Sequence, residues 1–468
     1  MSRTFDVVVV GAGPGGYVAA LRSAQNGLSV ALIEREKRLG GTCLLRGCIP
    51  TKSLLETARR LDELGRAADF GIEGVGTPTV ELSKVMRRKE RVIAKLAAGV
   101  GGLCRKSGVE VLQGTARLTS PHTVQIELTS GGEETIDARN VILATGSSVR
   151  DLPNLTPDHR RILTSDSALS LTELPKRLLV LGSGAVGIEF ASIFRSFGAE
   201  VTVVELMERL LPIEDEEISR ELERAFRRRG IGFFTSTKLA RVETSGSGVH
   251  AHLLKADGTM ETLEADALLV AVGRAPNTRA LGLESAGIEL DQRGFIPVDA
   301  AMRTRVSGVY AIGDIVASPA LAHVASHEGR IAADAIVGKA VAPIELDRVP
   351  AAVYASPEVA SVGLTEAVAR ARGIDARVGK FPFVAIGKAN VQGETEGFAK
   401  LVADGATDRL IGAQLIGPHA TELIAEIGAA LATGATLHQM AEVIHAHPTL
   451  SEIVGEAALV GLGTPLHI

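Results

Sequence analysis

Three cysteines, Cys43, Cys48 and Cys104, are all that the 468 residues contain. So small and odd a number excludes the dense disulfide framework of a small secreted domain. Basic residues form no long run and the net charge is −5, which argues against nucleic acid or an anionic membrane as the main partner. An apolar run of bilayer length is also missing. The most apolar stretch, Val7 to Leu21, is broken by Pro14 and several glycines, and it is too short to span a membrane. Met1 to Thr4 has none of the features of a signal peptide, because an apolar strand begins at once. The expected compartment is the cytoplasm, although an organellar chain processed to a new initiator Met reads the same.

Hydrophobic residues make up 46% and charged residues 22%, the balance of a soluble globular protein. The length suggests about three domains. The 51 glycines gather at the ends of strand-like runs, where they act as backbone devices and not as linkers.

Two stretches repeat one pattern. In the first, Asp6 to Val10 reads as a buried parallel strand, Gly11, Gly13 and Gly16 form GxGxxG, and a helix runs to Gln25. The strand Val30 to Ile33 then ends in Glu34. In the second, Arg177 to Leu181 leads into Gly182, Gly184 and Gly187, a helix runs to Phe197, and Val201 to Val204 ends in Glu205. From first glycine to carboxylate is 23 positions in both copies. The first glycine permits a tight turn off the strand, the second a close approach of backbone to a pyrophosphate, and the third close packing of helix on strand. The carboxylate can accept both hydrogen bonds of an adenosine ribose diol. At Glu205 it would repel a 2′-phosphate, which favours NAD over NADP, although Arg209 lies nearby in sequence. A lone GxGxxG is weak evidence; two with matching carboxylates are strong.

Asn140 to Gly146 and Ala267 to Gly273 read as return strands of the two units, and Gly308 to Asp314 as a late strand of the first. One nucleotide domain is thus interrupted by another and then resumed. The expected boundaries are 1–150, 151–278, 279–345 (the first domain resumed) and a C-terminal domain over 346–468.

Cys43 and Cys48 lie at i and i+5 in Gly40-Gly41-Thr42-Cys43-Leu44-Leu45-Arg46-Gly47-Cys48-Ile49-Pro50-Thr51-Lys52. In a regular helix that spacing separates Cα atoms by roughly 8 to 9 Å, whereas a disulfide needs about 4.4 to 6.8 Å. If the pair is bonded, the segment is not a uniform helix, and Gly47 and Pro50 are the residues that permit distortion. Two buried thiols acting as small apolar residues remain a possible reading. A metal site has no third or fourth ligand nearby in sequence. Cys104, in a Gly-rich helical segment, reads as packing. A thiol nucleophile needs a base, and the run His445-Ala446-His447-Pro448-Thr449-Leu450-Ser451-Glu452 offers a histidine with a carboxylate close by. On its own, His447 reads more readily as a structural histidine.

The cysteine segment and HPTLSE together resemble the class I pyridine nucleotide–disulfide oxidoreductases, and within them the dihydrolipoyl branch. The resemblance extends along nearly the whole chain, and Leu45 and Arg46 depart from the commoner Asn-Val. It implies an α/β fold of two Rossmann-like domains, for FAD and NAD, plus a C-terminal α+β dimerisation domain. It assigns Cys43 as interchange thiol, Cys48 as flavin-side thiol, His447 as base and Glu452 as its orienter, with His445 structural. Cofactor contacts carry over to the two glycine loops with Glu34 and Glu205, and to Thr42, Lys52, Gly114, Thr145 and Gly146. They carry over also to Glu189 (expected to pair with Lys52), Gly273, Arg274, Asp314 (toward the ribityl chain), Ala322 and His323. The implied enzyme oxidises protein-bound dihydrolipoamide with NAD⁺ and works as a homodimer, its base serving the partner's disulfide. Its partners would be lipoyl domains and the core acyltransferase of a 2-oxo acid dehydrogenase complex, or the lipoyl carrier of glycine cleavage. Glutathione-reductase-like activity is disfavoured by Glu205, and mercuric-reductase-like activity by a tail, Gly461 to Ile468, without cysteine. A non-catalytic interaction module is disfavoured by the intact Cys–Cys–His set.

Overall fold

The structure, a computed structural model, describes residues 3–153, 155–246 and 248–468. Met1 and Ser2, part of the segment read for a leader, lie outside them. The chain forms two compact units, Met1–Ser53 with Ser83–Arg150 and Arg274–Leu346, and Leu54–Leu82 with Asp151–Gly273 and Asp347–Ile468.

The first unit is built around β1 (Arg3–Val10), whose Val7, Val8 and Val9 are wholly buried. A strand apolar on both faces belongs inside a parallel sheet covered on both sides. Accordingly β1 pairs in parallel with β2 (Val30–Glu34), which follows α1 (Pro14–Gln25). Two helices, α2 (Gly41–Arg46) and α3 (Cys48–Gly65), and then α4 (Leu82–Lys106) precede the next strands. These are β3 (Glu110–Ser120), β4 (Thr123–Leu128) and β5 (Glu133–Leu143). β3 pairs in parallel with β2, β5 with β1, and Val309–Ala311 with β5, while β3, β4 and β5 are linked antiparallel. On one face α1 packs against the helix Ala322–Ile336. Glycine permits that approach: a Cβ on Gly329 would lie 2.4 Å from the Gly15 carbonyl oxygen. Arg22 then holds Asp334 through two hydrogen bonds of 2.8 and 2.9 Å.

In the second unit Arg177–Leu181 pairs in parallel with Glu200–Val204 and Ala267–Val270, and Ile231–Phe234 and Ile162–Thr164 extend the sheet. Lys238–Ser245, Gly248–Leu254 and Met260–Ala265 form a small antiparallel sheet. The C-terminal part is a five-stranded antiparallel sheet carrying the helices Ala420–Thr433 and Glu452–Gly461. Lys400, 2% exposed on that sheet, meets Asp215 (3.2 Å), Glu217 (2.7 Å) and Glu366 (3.0 Å). The stretch Arg274–Pro276, expected to close the second nucleotide domain, pairs antiparallel with Ser147–Val149 and falls in the first unit. Among the described residues no helix is long and apolar enough to cross a membrane.

Candidate active site

The two glycine loops are near-copies. Gly11 and Gly182 have φ of +101° and +99°, and a Cβ would lie 2.4 Å from the Ala144 oxygen in one and 2.5 Å from the Ala271 oxygen in the other. A Cβ on Gly16 would sit 1.8 Å from the Gly11 oxygen, and one on Gly187 2.0 Å from the Gly182 oxygen. These four glycines are demanded by neighbouring backbone. The middle glycines differ. A Cβ on Gly13 meets only the Gly41 Cα, at 4.0 Å, and one on Gly184 meets nothing within 4 Å. Both cap a helix N-terminus that has no side-chain cap. Open space in front of uncapped N–H groups is what a pyrophosphate needs, so both loops fit a dinucleotide.

The carboxylates at the strand ends brace these loops. Glu34 accepts the Ala12 N–H on Oε2 (2.8 Å) and the Glu36 N–H on Oε1 (3.0 Å). Glu205 repeats both bonds with Ser183 (2.7 Å) and Met207 (2.8 Å). It also accepts the Ser183 hydroxyl on Oε2 (2.7 Å). Oε2 of Glu205 is thereby filled, so its capacity toward a diol lies on Oε1, whereas Glu34 keeps capacity on both oxygens. Arg209 donates to the carbonyls of Pro212 (3.2 Å) and Glu214 (3.3 Å) and so closes its own loop, away from a 2′-phosphate role.

The cysteines sit where a helix is interrupted. α2 carries Cys43 and α3 begins at Cys48, with Gly47 between them at φ −136° and ψ −109°. A side chain on Gly47 would press the Thr42 oxygen at 3.0 Å and the Cys43 Cα at 3.4 Å, so glycine lets the two ends close on each other. The sulfurs are in hydrogen-bonding contact. That contact with Cys48, and then burial, drives the Cys43 thiol far above its usual range, against the opposing charge of Lys52. Thr51 donates its hydroxyl to the Gly47 oxygen (2.7 Å) and steadies the break.

Sequence reasoning quoted Gly40-Gly41 only as part of a motif. The structure gives the pair a purpose. Both have positive φ, +123° and +58°, and a Cβ on Gly41 would lie 2.5 Å from the Gly13 Cα. Gly40 N–H donates to the Ala12 oxygen (2.9 Å). The cysteine segment is thus laid directly on the first dinucleotide loop, and Thr42 follows that contact.

Thr145 and Gly146, just past the end of β5, are tied to Asn277: the Thr145 hydroxyl donates to the Asn277 oxygen (2.7 Å), and the Asn277 amide donates to the Thr145 oxygen (3.0 Å). Asn277 N–H reaches the Gly146 oxygen (2.9 Å). Arg274 donates to Ser147 Oγ (2.7 Å) and to the Ser147 oxygen (2.5 Å), and the Ser147 hydroxyl donates to Asp314. Ser147 was missed in the sequence because nothing in its spacing marks it as a link between two distant segments. Gly273 precedes this link at φ +114° with open space around it. Ala322 opens its helix, followed by His323, again without a side-chain cap. Gly114 has a packing reason: a Cβ there would meet the Glu127 oxygen at 2.4 Å, across the pairing of β3 with β4. Glu189, 4% exposed in the second unit, accepts the Tyr354 N–H (3.1 Å).

His447 and Glu452 are brought together. His447 Nδ1 meets Glu452 Oε1 at 2.8 Å, and the ring is 78% exposed. Glu452 Oε2 accepts the Thr449 N–H (2.8 Å). Burial works against the charge, but the Thr449 bond and His447 hold the Glu452 carboxyl below its usual range. An anchored carboxylate on Nδ1 leaves Nε2 facing outward as the free nitrogen. His445, two residues earlier, turns inward: its side chain is 10% exposed and Nε2 meets Glu426 at 2.8 Å. Cys104 is wholly buried in the core of the first unit.

Paired dinucleotide-type folds, with a contacting cysteine pair laid on one of the loops, define a nucleotide-linked thiol–disulfide oxidoreductase. Comparison with known proteins agrees: the chain belongs to the pyridine nucleotide-disulphide oxidoreductases, whose family model matches residues 5–329 and whose dimerisation-domain model matches residues 349–458. It is 44% identical to the dihydrolipoyl dehydrogenase of Bacillus subtilis and 45% identical to that of Zymomonas mobilis, each over the full length of both chains. Among solved structures, LpdA from Mycobacterium tuberculosis superposes with a TM-score of 0.90 at 33% identity, covering 98% of this chain and 99% of the other.

Proposed function

We propose that the chain oxidises the dihydrolipoyl group of a carrier protein to its cyclic disulfide, with NAD⁺ as final acceptor. The observation that carries this reading is the contact of Cys43 with Cys48 across the Gly47 break, held against the Gly13 loop.

In the oxidised state of the pair, His447 takes the proton of one substrate thiol. The resulting thiolate attacks Cys43 Sγ, the Cys43–Cys48 bond breaks, and Cys48 leaves as thiolate. The second substrate thiol, deprotonated in turn, attacks the substrate sulfur of the mixed disulfide. The substrate ring closes and Cys43 is released as thiolate, so two substrate thiols are oxidised and two cysteines reduced. Cys43 then takes up a proton, consistent with the upward push from Cys48. Glu452 keeps the His447 proton on Nδ1 and Nε2 free. FAD, when bound at the first loop, would supply a two-electron acceptor for the reduced pair, and the second loop would hold the NAD⁺ that is the final acceptor. The glycine loops with Glu34 and Glu205 would hold the two dinucleotides, with Thr42, Lys52, Thr145, Gly146 and the Arg274–Ser147–Asp314 chain contacting the first and Glu189 the second. The base would serve the partner's cysteine pair in a homodimer. A cytoplasmic location goes with this reading, since a reducing compartment keeps such a pair cycling. The protein partners would be lipoyl domains and the acyltransferase core of a 2-oxo acid dehydrogenase complex, or the lipoyl carrier of glycine cleavage.

The test is NADH formation from dihydrolipoamide, set beside oxidation of NADPH by glutathione disulfide. Turnover of the first and none of the second is expected; the reverse pattern would overturn the assignment. His447→Gln should lower dihydrolipoamide turnover by about 10²- to 10⁴-fold, the usual worth of a general base, and leave NADH oxidation by an artificial acceptor intact.

A further inference from the structure

The basic residues, which form no long run in the sequence, are gathered by a helix. Between Ser83 and Lys95, α4 carries Lys84, Arg87, Arg88, Lys89, Arg91 and Lys95 against a single carboxylate, Glu90. Arg38 already matches Glu90, at 2.6 Å. Lys89 is buried, while the other five cations are exposed. Their spacing of three and four residues sets them on one side of the helix. Glu81, just ahead of α4, leaves the segment with a clear excess of cations in a chain whose net charge is −5.

The stripe borders the redox element. Arg88 donates to Ser53 Oγ (3.0 Å) and to the Ser53 oxygen (3.4 Å). Ser53 lies on α3, five residues past Cys48 and so roughly 8 Å along the axis. We propose that this face of α4 docks the carrier protein through an acidic patch next to its dithiol arm. The proposal rests on the reaction assigned above. An acidic partner is repelled by a chain of net negative charge and drawn to this strongly basic helix, which delivers the arm toward Cys43. The helix has no Phe, Tyr or Trp along its length, so it lacks the stacking platforms that single-stranded nucleic acid uses.

The holoenzyme and its Arg87→Gln/Arg91→Gln/Lys95→Gln variant decide the matter, assayed with free dihydrolipoamide and with a reduced lipoylated domain of net negative charge. At low salt the variant should raise KM for the domain about tenfold, in keeping with several rim charges acting together. That difference should shrink at high salt, and kinetics on free dihydrolipoamide should be unchanged. An unaltered KM for the domain overturns the proposal, as does an equal loss on both substrates. So does binding of a short RNA oligonucleotide that the variant loses while domain kinetics stay put. If the native enzyme leaves free dihydrolipoamide untouched, it is the assigned reaction that falls. Docking is then decided by calorimetric titration with the oxidised lipoylated domain, where a heat that persists in the variant refutes it.

Discussion

At the scale of single residues, the glycines of the two loops divide into those that neighbouring backbone requires and those that face open space. Gly187→Ala would drive a methyl to 2.0 Å from the Gly182 oxygen, an overlap worth about 3 kcal/mol or more. A strong drop in the urea midpoint is expected. Gly184→Ala meets nothing within 4 Å, so stability should hold while the methyl fills the space assigned to the pyrophosphate. Its KM for NAD⁺ should rise about tenfold or more, read by steady-state kinetics against an unchanged melting curve. A Gly184→Ala enzyme with normal KM would remove the nucleotide from that loop. This division was only half legible in the sequence. Spacing identified both loops and both carboxylates, because a strand, a turn and a helix follow local rules. The second bond of Ser183 to Glu205 and the contact of Gly41 with Gly13 depend on how distant backbone meets, and no periodicity reports that.

At the scale of elements, the junction of α1 with the helix Ala322–Ile336 offers a pH signature. Hydrogen bonds from Arg22, resisted by burial and helped by Asn26, hold the Asp334 carboxyl at about 2, below its ordinary 3.8. A carboxyl depressed on folding stabilises fully above its unfolded value and loses that contribution as pH falls through the folded one. Stability should therefore decline between about pH 4 and pH 2. Asp334→Asn should lower the melting temperature at neutral pH and flatten that acid limb, seen by calorimetry across the range. A parallel shift at all pH values would assign the loss to packing instead. In the C-terminal sheet, Lys400 is buried with three carboxylates. Burial opposes its charge, but Glu217, Glu366 and Asp215 outweigh it and raise its pKa. Lys400→Met leaves those anions facing one another, which should cost about 3 to 5 kcal/mol in chemical denaturation. Neither network is visible from spacing, since Arg22 and Asp334 are 312 positions apart and Lys400 is 185 from Asp215.

At the scale of the whole molecule, the prediction concerns shared sites. Mixing Cys43→Ser subunits with His447→Gln subunits should restore about a quarter of native activity if base and disulfide come from opposite chains of a two-fold dimer and exchange is random. Each variant alone stays inactive. No recovery after proven exchange would place both groups in one chain. Two nucleotide units could be anticipated because the return strands, ending in glycine, repeat the same pattern, whereas the terminal α+β domain came only with the family resemblance. The return of the chain at Arg274 could not, since it is set by pairing with Ser147–Val149.

The contact of Gly41 with Gly13 carries one more consequence. A main chain with no side chain between it and the loop has no slack, so whatever occupies the loop must change how readily small alkylating reagents reach the sulfurs. With the cysteine pair first reduced, iodoacetamide should label Cys43 faster in enzyme stripped of its prosthetic group than in enzyme that retains it, with peptide mass mapping as the gauge. A bulkier residue at Gly41 should abolish that difference, because the two segments would no longer rest on each other.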